Sequence, residues 1–164
     1  MAKIVTLLLL INCDNYYQLR QLRPVVRCLS DDATKTLVHA FIASRVDYCN
    51  ALFFGITNEL FCRLQSVQNA AARLVTGAKR YDHISPVLRQ LHWLPVRQRV
   101  VFMIATLVHR CLSGLAPGYL ADDCQLVTGA RARLLRSADT RTLTVHRTSS
   151  CFGDRTFAAA ATRV

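Results

Sequence analysis

Apolar residues recur at intervals of three and four positions through most of this chain, and this spacing constrains its fold more than any other feature. Residues so spaced lie on one face of a helix and can be buried together. The two clearest series are Leu60, Leu64, Val67, Ala71 and Leu74, and Val100, Ile104, Leu107, Val108 and Cys111. The chain is therefore predicted to be mostly α-helical, folded as an irregular bundle.

Glycines and prolines divide this pattern into separate helices. A glycine in the left-handed conformation commonly ends a helix, and the glycines so placed are Gly55, Gly77 and Gly114. Proline is tolerated in the first turn, and the predicted starts are Pro86 with Ser85 as its cap, Pro95 and Pro117. Upstream, Ser30 precedes two aspartates and is predicted to cap one long helix that runs to about Phe54, with a kink near Asp47.

The pattern changes beyond Gln125. Residues 131–136 are dense in arginine, residues 142–146 alternate with period two like one short strand, and residues 154–162 resemble an alanine-rich helix. A less ordered, basic C-terminal segment is therefore expected.

The N-terminus imitates a short signal peptide, because Lys3 precedes the apolar run from Ile4 to Ile11. No small-x-small cleavage site follows, and the run is far shorter than the roughly 20 residues that span a bilayer. We expect a buried strand or the start of a helix, no membrane contact, and an intracellular protein in the nucleus or cytoplasm.

The charge is large and uneven. The chain has 21 Lys and Arg residues against 10 Asp and Glu, a formal net charge of +11. Most of the excess falls after residue 62, and arginine greatly outnumbers lysine. A guanidinium suits bidentate phosphate contacts, so a nucleic-acid partner is indicated, although basic surfaces also bind membranes and acidic proteins.

The sequence offers few residues suited to a metal site or a cofactor. The seven cysteines form no Cys-x-x-Cys pair, and they are predicted to be small buried residues in a reducing compartment. Asp122-Asp123 resembles a polymerase metal-binding pair, but Leu120 stands where an aromatic residue is needed and no strands flank it. These acids are predicted to lie at a helix N-terminus or in solvent. Neither a catalytic residue nor a metal or cofactor is expected.

The segment 91–99 places the only tryptophan, Trp93, beside Arg97 and Arg99 at a helix start. Trp93 could stack on a base while the arginines hold phosphates. The favoured alternative for Trp93 is that it fills the junction between two helices. The two arginines fit a phosphate-binding role and a solvated face equally well.

Several stretches in a fixed order resemble the region that follows the polymerase palm in jockey-like non-LTR retrotransposon reverse transcriptases. They are residues 39–52 (HAFIASRVDYCNAL), 64–74 (LQSVQNAAARL), 82–88 (DHISPVL), 91–96 (LHWLPV), 114–120 (GLAPGYL), 135–137 (LRS) and 153–155 (GDR). These stretches lie between residues 39 and 155, and the resemblance as a whole extends over about residues 14–160. It identifies the chain as similar to the thumb of those enzymes.

The resemblance implies an unmatched start at residues 1–13, a helical thumb-like region at 14–124 and a basic post-thumb tail at 125–164. It also implies that the catalytic palm and its aspartates are not part of this chain, so no enzyme activity is expected. Thumb helices lie along the primer and template. RNA or an RNA/DNA duplex is therefore the expected partner, beside the palm of a parent enzyme.

The basic residues expected to contact phosphates, without base specificity, are Arg73, Lys79, Arg80, Arg97, Arg99, Arg131, Arg133 and Arg136. Two other hypotheses remain open. The chain could be a helical protein-interaction module whose apolar faces are left uncovered by the missing palm, or a transposon relic without a cellular function.

Overall fold

The computed structural model describes residues 2–48, 50–127, 142–145, 147–150 and 153–164, and these are mostly α-helical, as predicted. The helices are α1 Ala2–Val26, α2 Asp31–Val38, α3 Ser44–Asp47, α4 Asn58–Thr76, α5 Ile84–Gln90, α6 Val96–Leu112, α7 Gly118–Ala121 and α8 Phe157–Ala161. A π-helical segment, His39–Ala43, joins α2 to α3, and 3-10 turns occupy Asn50–Phe53 and Gly153–Arg155.

The chain divides into two compact units. The first consists of Met1–Cys49 with Ile56–Arg99, and the second of Asn50–Gly55 with Val100–Val164. This division follows packing within the chain. The sequence-based boundaries after residues 13 and 124 follow a resemblance instead, so the two divisions describe different properties.

Helix α4 is the centre of the first unit, where α1, α2, the π-helical segment and α5 all contact it. Its buried apolar face includes Leu64, Val67 and Ala71, as the spacing predicted. Gly77 ends the helix in the left-handed conformation, with φ of 69°, and its N–H donates to the Arg73 carbonyl at 2.9 Å. The α1–α4 pairing therefore depends on apolar faces of both helices, and the sequence predicted the face that belongs to α4.

Helix α1 contains the apolar run from Ile4 to Ile11, so of the two expectations for this run the helix start is confirmed. The helix continues for another four turns and buries Leu19 and Leu22. No helix in the described part of the chain is both long and apolar enough to cross a membrane.

The long helix predicted from Ser30 to about Phe54 is interrupted. Ser30 does cap α2, where its Oγ accepts a hydrogen bond from the Ala33 N–H at 3.4 Å. The π-helical segment then follows, and the Ser44 hydroxyl donates to the Ala40 carbonyl across its end. Such a side-chain bond to the preceding turn bends helices, and α3 ends at Asp47, the position expected for a kink.

The start of α5 corrects a second prediction. The helix begins at Ile84 with His83 in the cap position, so Ser85 lies inside the first turn and is not the cap. Pro86 is still in that first turn, where its missing N–H would have no partner in the helix. Gly55 and Gly114 adopt positive φ values of 73° and 69°, as expected of residues that end helices.

The second unit packs around Cys111, Cys124 and Ala161. The strand predicted at residues 142–146 is, over its described residues, an isolated antiparallel bridge between Leu126 and Leu143. Two backbone hydrogen bonds flank the bridge, which is too short to form a sheet. The basic segment at residues 131–136 lies outside the described residues.

Candidate nucleic-acid interface

The C-terminal half of α1 carries arginines on its open side. Arg20, Arg23 and Arg27 are spaced by three and four residues, so they share one helix face, with Arg27 just beyond the last turn. All three are exposed, whereas Leu19 and Leu22 are buried. Because the apolar side of α1 is buried, the side that carries the arginines faces away from the core of the unit.

These arginines line a groove between α1 and α4, which we call the α1–α4 groove. It has a volume of about 920 Å³, and α4 contributes Asn69, Ala70 and Arg73 to its wall. The left-handed Gly77 turns the chain so that Ala78 and Arg80 also line it. Small side chains at positions 70, 77 and 78 leave the space open.

The charge of the groove is of one sign. Among the described residues that line it, five are arginines and none is Asp or Glu. These five, here called the groove arginines, are Arg20, Arg23, Arg27, Arg73 and Arg80. Within the described part of the chain, none of the five forms an ion pair. Like charges so close together repel, and a bound anion would relieve that repulsion.

Hydrogen bonds hold the two ends of this groove. At one end, the Tyr16 hydroxyl and Ser66 Oγ are 2.8 Å apart, which ties α1 to α4. At the other, Arg73 Nε donates to the Lys79 carbonyl at 3.2 Å, and the Lys79 N–H donates to Asp82 Oδ2 at 2.7 Å. The turn that carries Arg80 is therefore fixed against the end of α4.

The residues predicted to bind phosphate fall into different settings. Arg73 and Arg80 line the α1–α4 groove, so the structure brings these two together. Lys79 lies between Ala78 and Arg80, and its ammonium group is 5.8 Å from the centroid of the Tyr81 ring. Arg131, Arg133 and Arg136 are outside the described residues.

Arg97 and Arg99 are instead held by contacts within the protein. Arg97 stacks over the Phe61 ring, 4.9 Å from its centroid, and donates to the Asn58 side chain. Arg99 Nη1 lies 3.0 Å from Asp47 Oδ1, and only 18% of the Arg99 side chain is exposed. Asp47 Oδ1 has no hydrogen bond of acceptable geometry, so this contact is mainly Coulombic. Both arginines thus have a structural role at the start of α6.

Sequence reasoning missed Arg20, Arg23 and Arg27. The first 62 residues have nearly balanced charge, which drew attention to the later part of the chain. The spacing within this short segment could have identified them. Arginines spaced by three and four residues, alternating with apolar residues at the same spacing, are typical of an amphipathic helix. The net charge summed over 62 residues does not show such a local row of arginines.

The aspartate pair and the cysteines have settings that partly differ from prediction. Asp122 and Asp123 are exposed and follow the end of α7, so the solvated alternative is confirmed and the helix N-terminus is wrong. Cys13, Cys28 and Cys62 are exposed rather than buried, since they lie on the outer faces of their helices or beyond. No group of three His, Cys, Asp or Glu residues suited to a metal occurs among the described residues.

Cys111 and Cys124 are the buried pair. Burial, the neighbouring Cys111 and the charge of Asp123 together raise the pKa of Cys124 from 9.0 to about 11. A thiol with so high a pKa is almost entirely protonated at neutral pH, and the thiolate is the reactive form. Cys124 is therefore part of the apolar core of the second unit, next to Cys111.

Comparison with known proteins returned no relative. A scan against protein-family models, a search of curated proteins and a search of solved structures each gave no match to this chain. The candidate interface is accordingly defined by its own geometry, a concave strip of five arginines that form no ion pair among the described residues.

Proposed function

We propose that this protein binds the sugar-phosphate backbone of nucleic acid in the α1–α4 groove, without reading base sequence. The observation that carries the proposal is the set of groove arginines, which line one concavity and have no ion-pair partner among the described residues. Guanidinium groups at this density make bidentate contacts to phosphate oxygens and release counterions from the nucleic acid.

The spacing of the arginines suits a nucleic-acid strand. Seven residues of helix separate Arg20 from Arg27, an axial distance of roughly 10 Å. A basic row of this length can contact more than one phosphate of a strand that lies along it. Arg73 and Arg80 supply charge from the opposite wall, and one strand would lie between the two rows.

The same proposal includes the origin suggested by the sequence, a fragment similar to the thumb of a retrotransposon reverse transcriptase that lacks the catalytic palm. A mostly helical chain with an uncompensated basic groove fits such a role. In a parent enzyme the groove would follow the RNA/DNA duplex while the palm holds the metal ions. The purified chain should therefore bind primed templates and, with Mg²⁺ and deoxynucleotides, extend none of them.

A salt titration tests the binding. Fluorescence anisotropy with a labelled RNA/DNA duplex should give an affinity that falls with salt at a log-log slope of about −4, because each phosphate neutralised contributes about −0.7 to −0.9. Two duplexes of unrelated sequence should bind within about twofold of each other, since backbone contacts carry no sequence information. A slope near zero, or strong preference for one sequence, would contradict the proposal.

A second candidate function is protein interaction through the second unit. Val101, Phe102, Met103 and Leu112 on α6 are all substantially exposed. Large apolar side chains that are exposed on one helix are candidates for a contact surface. Light scattering distinguishes this function, because association through apolar burial persists at high salt and is indifferent to nucleic acid, whereas the groove loses its ligand there.

A further inference from the structure

A second cavity lies in the first unit, away from the groove arginines. It is formed where the end of α2 and the start of the π-helical segment face the turn between α5 and α6. Its volume is about 500 Å³, within the range of small-molecule sites. The side chains that matter for its chemistry are Lys35, Thr36, His39, Gln90, His92 and Trp93.

Two irregular pieces of backbone meet at this cavity, and each places a histidine in its wall. His39 is the first residue of the π-helical segment. His92 has a positive φ of 55°, and it is the sole non-glycine residue with positive φ in the part of the chain that the structure describes. A π-helical turn and a left-handed histidine both cost stability, and such departures concentrate at functional sites.

Trp93 gives the cavity an aromatic wall. It is the only tryptophan in the chain, and it is half-buried. Its backbone N–H donates to the Leu88 carbonyl at 2.8 Å, and the His92 N–H donates to the Arg89 carbonyl at 3.0 Å, so the turn is anchored to α5. Trp93 thus lies in the turn between α5 and α6 and lines open space where a flat ring could stack.

The polar groups of the cavity suit an anion. Lys35, His39 and His92 bring one ammonium and two imidazole groups to its wall, and none of the described residues that line it is Asp or Glu. Lys35 does contact Asp32 at 3.3 Å, but both side chains are mostly exposed, and a pair of this kind is weak enough to be exchanged for a ligand. Thr36 and Gln90 add hydroxyl and amide groups that can hydrogen-bond a sugar or a base edge.

We propose that this cavity binds one nucleotide unit, with the base stacked on Trp93 and the phosphate held by Lys35, His39 and His92. An aromatic wall next to one ammonium and two imidazole groups matches the two chemical halves of a nucleoside monophosphate. The ligand can come from two sources, a free mononucleotide or one residue of a single strand. The site shares no lining residue with the α1–α4 groove, so it can be tested independently of the function proposed above.

Because Trp93 is the only tryptophan, its fluorescence reports on the cavity directly. Titration with adenosine 5′-monophosphate should quench it saturably. Adenosine lacks the phosphate and should bind at least tenfold more weakly, and ribose 5-phosphate lacks the base and should leave the fluorescence unchanged. A non-saturable response to the monophosphate, or equal affinity for adenosine, would overturn the proposal.

His92→Asn is the informative variant, since asparagine adopts the left-handed conformation more readily than most residues and should keep the fold. We expect the affinity for the monophosphate to fall about tenfold while the unfolding temperature stays the same or rises. His83→Asn is the matched control, because His83 is an exposed residue outside the cavity, and it should bind normally. Unchanged affinity in His92→Asn would exclude the assigned phosphate contact.

A short oligoadenylate separates the two sources. If it binds more than tenfold tighter than the monophosphate, the cavity takes a residue of a single strand, and equal affinity assigns a free nucleotide. Repeating both titrations with Arg20→Gln/Arg23→Gln/Arg27→Gln shows whether the groove contributes. Quenching by the monophosphate should be the same in this variant, and its loss there would contradict a site independent of the groove.

Discussion

Two sets of arginines in the same unit have opposite surroundings. The groove arginines line one open concavity and form no ion pair among the described residues, whereas Arg97 and Arg99 at the start of α6 are held by an aromatic ring, an amide and a carboxylate. The residue type is identical, and only the partners differ. A guanidinium whose charge is already matched within the protein contributes to stability, and one left unmatched is available to a phosphate.

The first and largest test removes charge from the groove. Arg20→Gln/Arg23→Gln/Arg27→Gln should weaken binding to an RNA/DNA duplex about 100-fold at low salt and reduce the salt slope by about three. Stability should change by less than about 0.5 kcal/mol, because these side chains are exposed and lack ion-pair partners among the described residues. Anisotropy and urea unfolding measure the two effects.

The matched control removes the same net charge elsewhere. Arg89, Arg110 and Arg147 are exposed and lie outside the groove, and changing all three to Gln should weaken binding severalfold at most. If this control lost as much affinity as the groove variant, binding would depend on overall charge, and the distinction between the two arginine sets would have no functional meaning.

A second test acts on the opposite set. Asp47→Asn should lower the free energy of unfolding by about 1–2 kcal/mol, since it leaves the largely buried Arg99 without its charge partner in an environment only partly screened by solvent. Duplex binding should be unchanged. The double variant Asp47→Asn/Arg99→Met should recover much of the loss, because it removes the unpaired charge while keeping an apolar side chain of similar length.

The outcome of Asp47→Asn also sharpens the comparison. If the released Arg99 raised affinity for nucleic acid and increased the salt slope, then Asp47 would be masking a binding residue. Arg99 would then be able to bind nucleic acid like the groove arginines, and only its pairing with Asp47 would prevent it. An unfolding curve that matched that of the wild type would show that the 3.0 Å contact has no stabilising effect.

The same contrast shows how far sequence reasoning reaches. The face of α4, the left-handed glycines and the starts of α6 and α7 were predicted, because each depends on spacing or on the conformational freedom of one residue. The π-helical segment after Val38 was not, since it lies within a continuous helical pattern of apolar residues. A change from α-helix to π-helix over five residues leaves no mark on the spacing of apolar residues.

The site was only partly predictable for a related reason. Arg73 and Arg80 were identified from the sequence, and the α1 wall that completes the groove with them was not. Which arginine meets Asp47 or Phe61 depends on how residues far apart in the chain pack together. Charge density can therefore indicate a nucleic-acid partner, and tertiary contacts are needed to say which cations are free to meet it.

The smallest effect is expected at Arg97, and it tests the comparison most strictly. Arg97→Gln removes the stacking on Phe61 but keeps a polar side chain near Asn58, so it should cost about 0.5 kcal/mol at this exposed site. Duplex affinity should stay within about twofold of the wild type, whereas Arg23→Gln, which removes one charge from the groove, should lose about fivefold. Arg97→Lys separates charge from shape, because it keeps the charge and loses the planar stack. If Arg97→Gln lost as much affinity as Arg23→Gln while Arg97→Lys retained it, then an arginine held by an aromatic ring and an amide would still serve the nucleic acid, and such internal contacts alone would not tell binding arginines from structural ones.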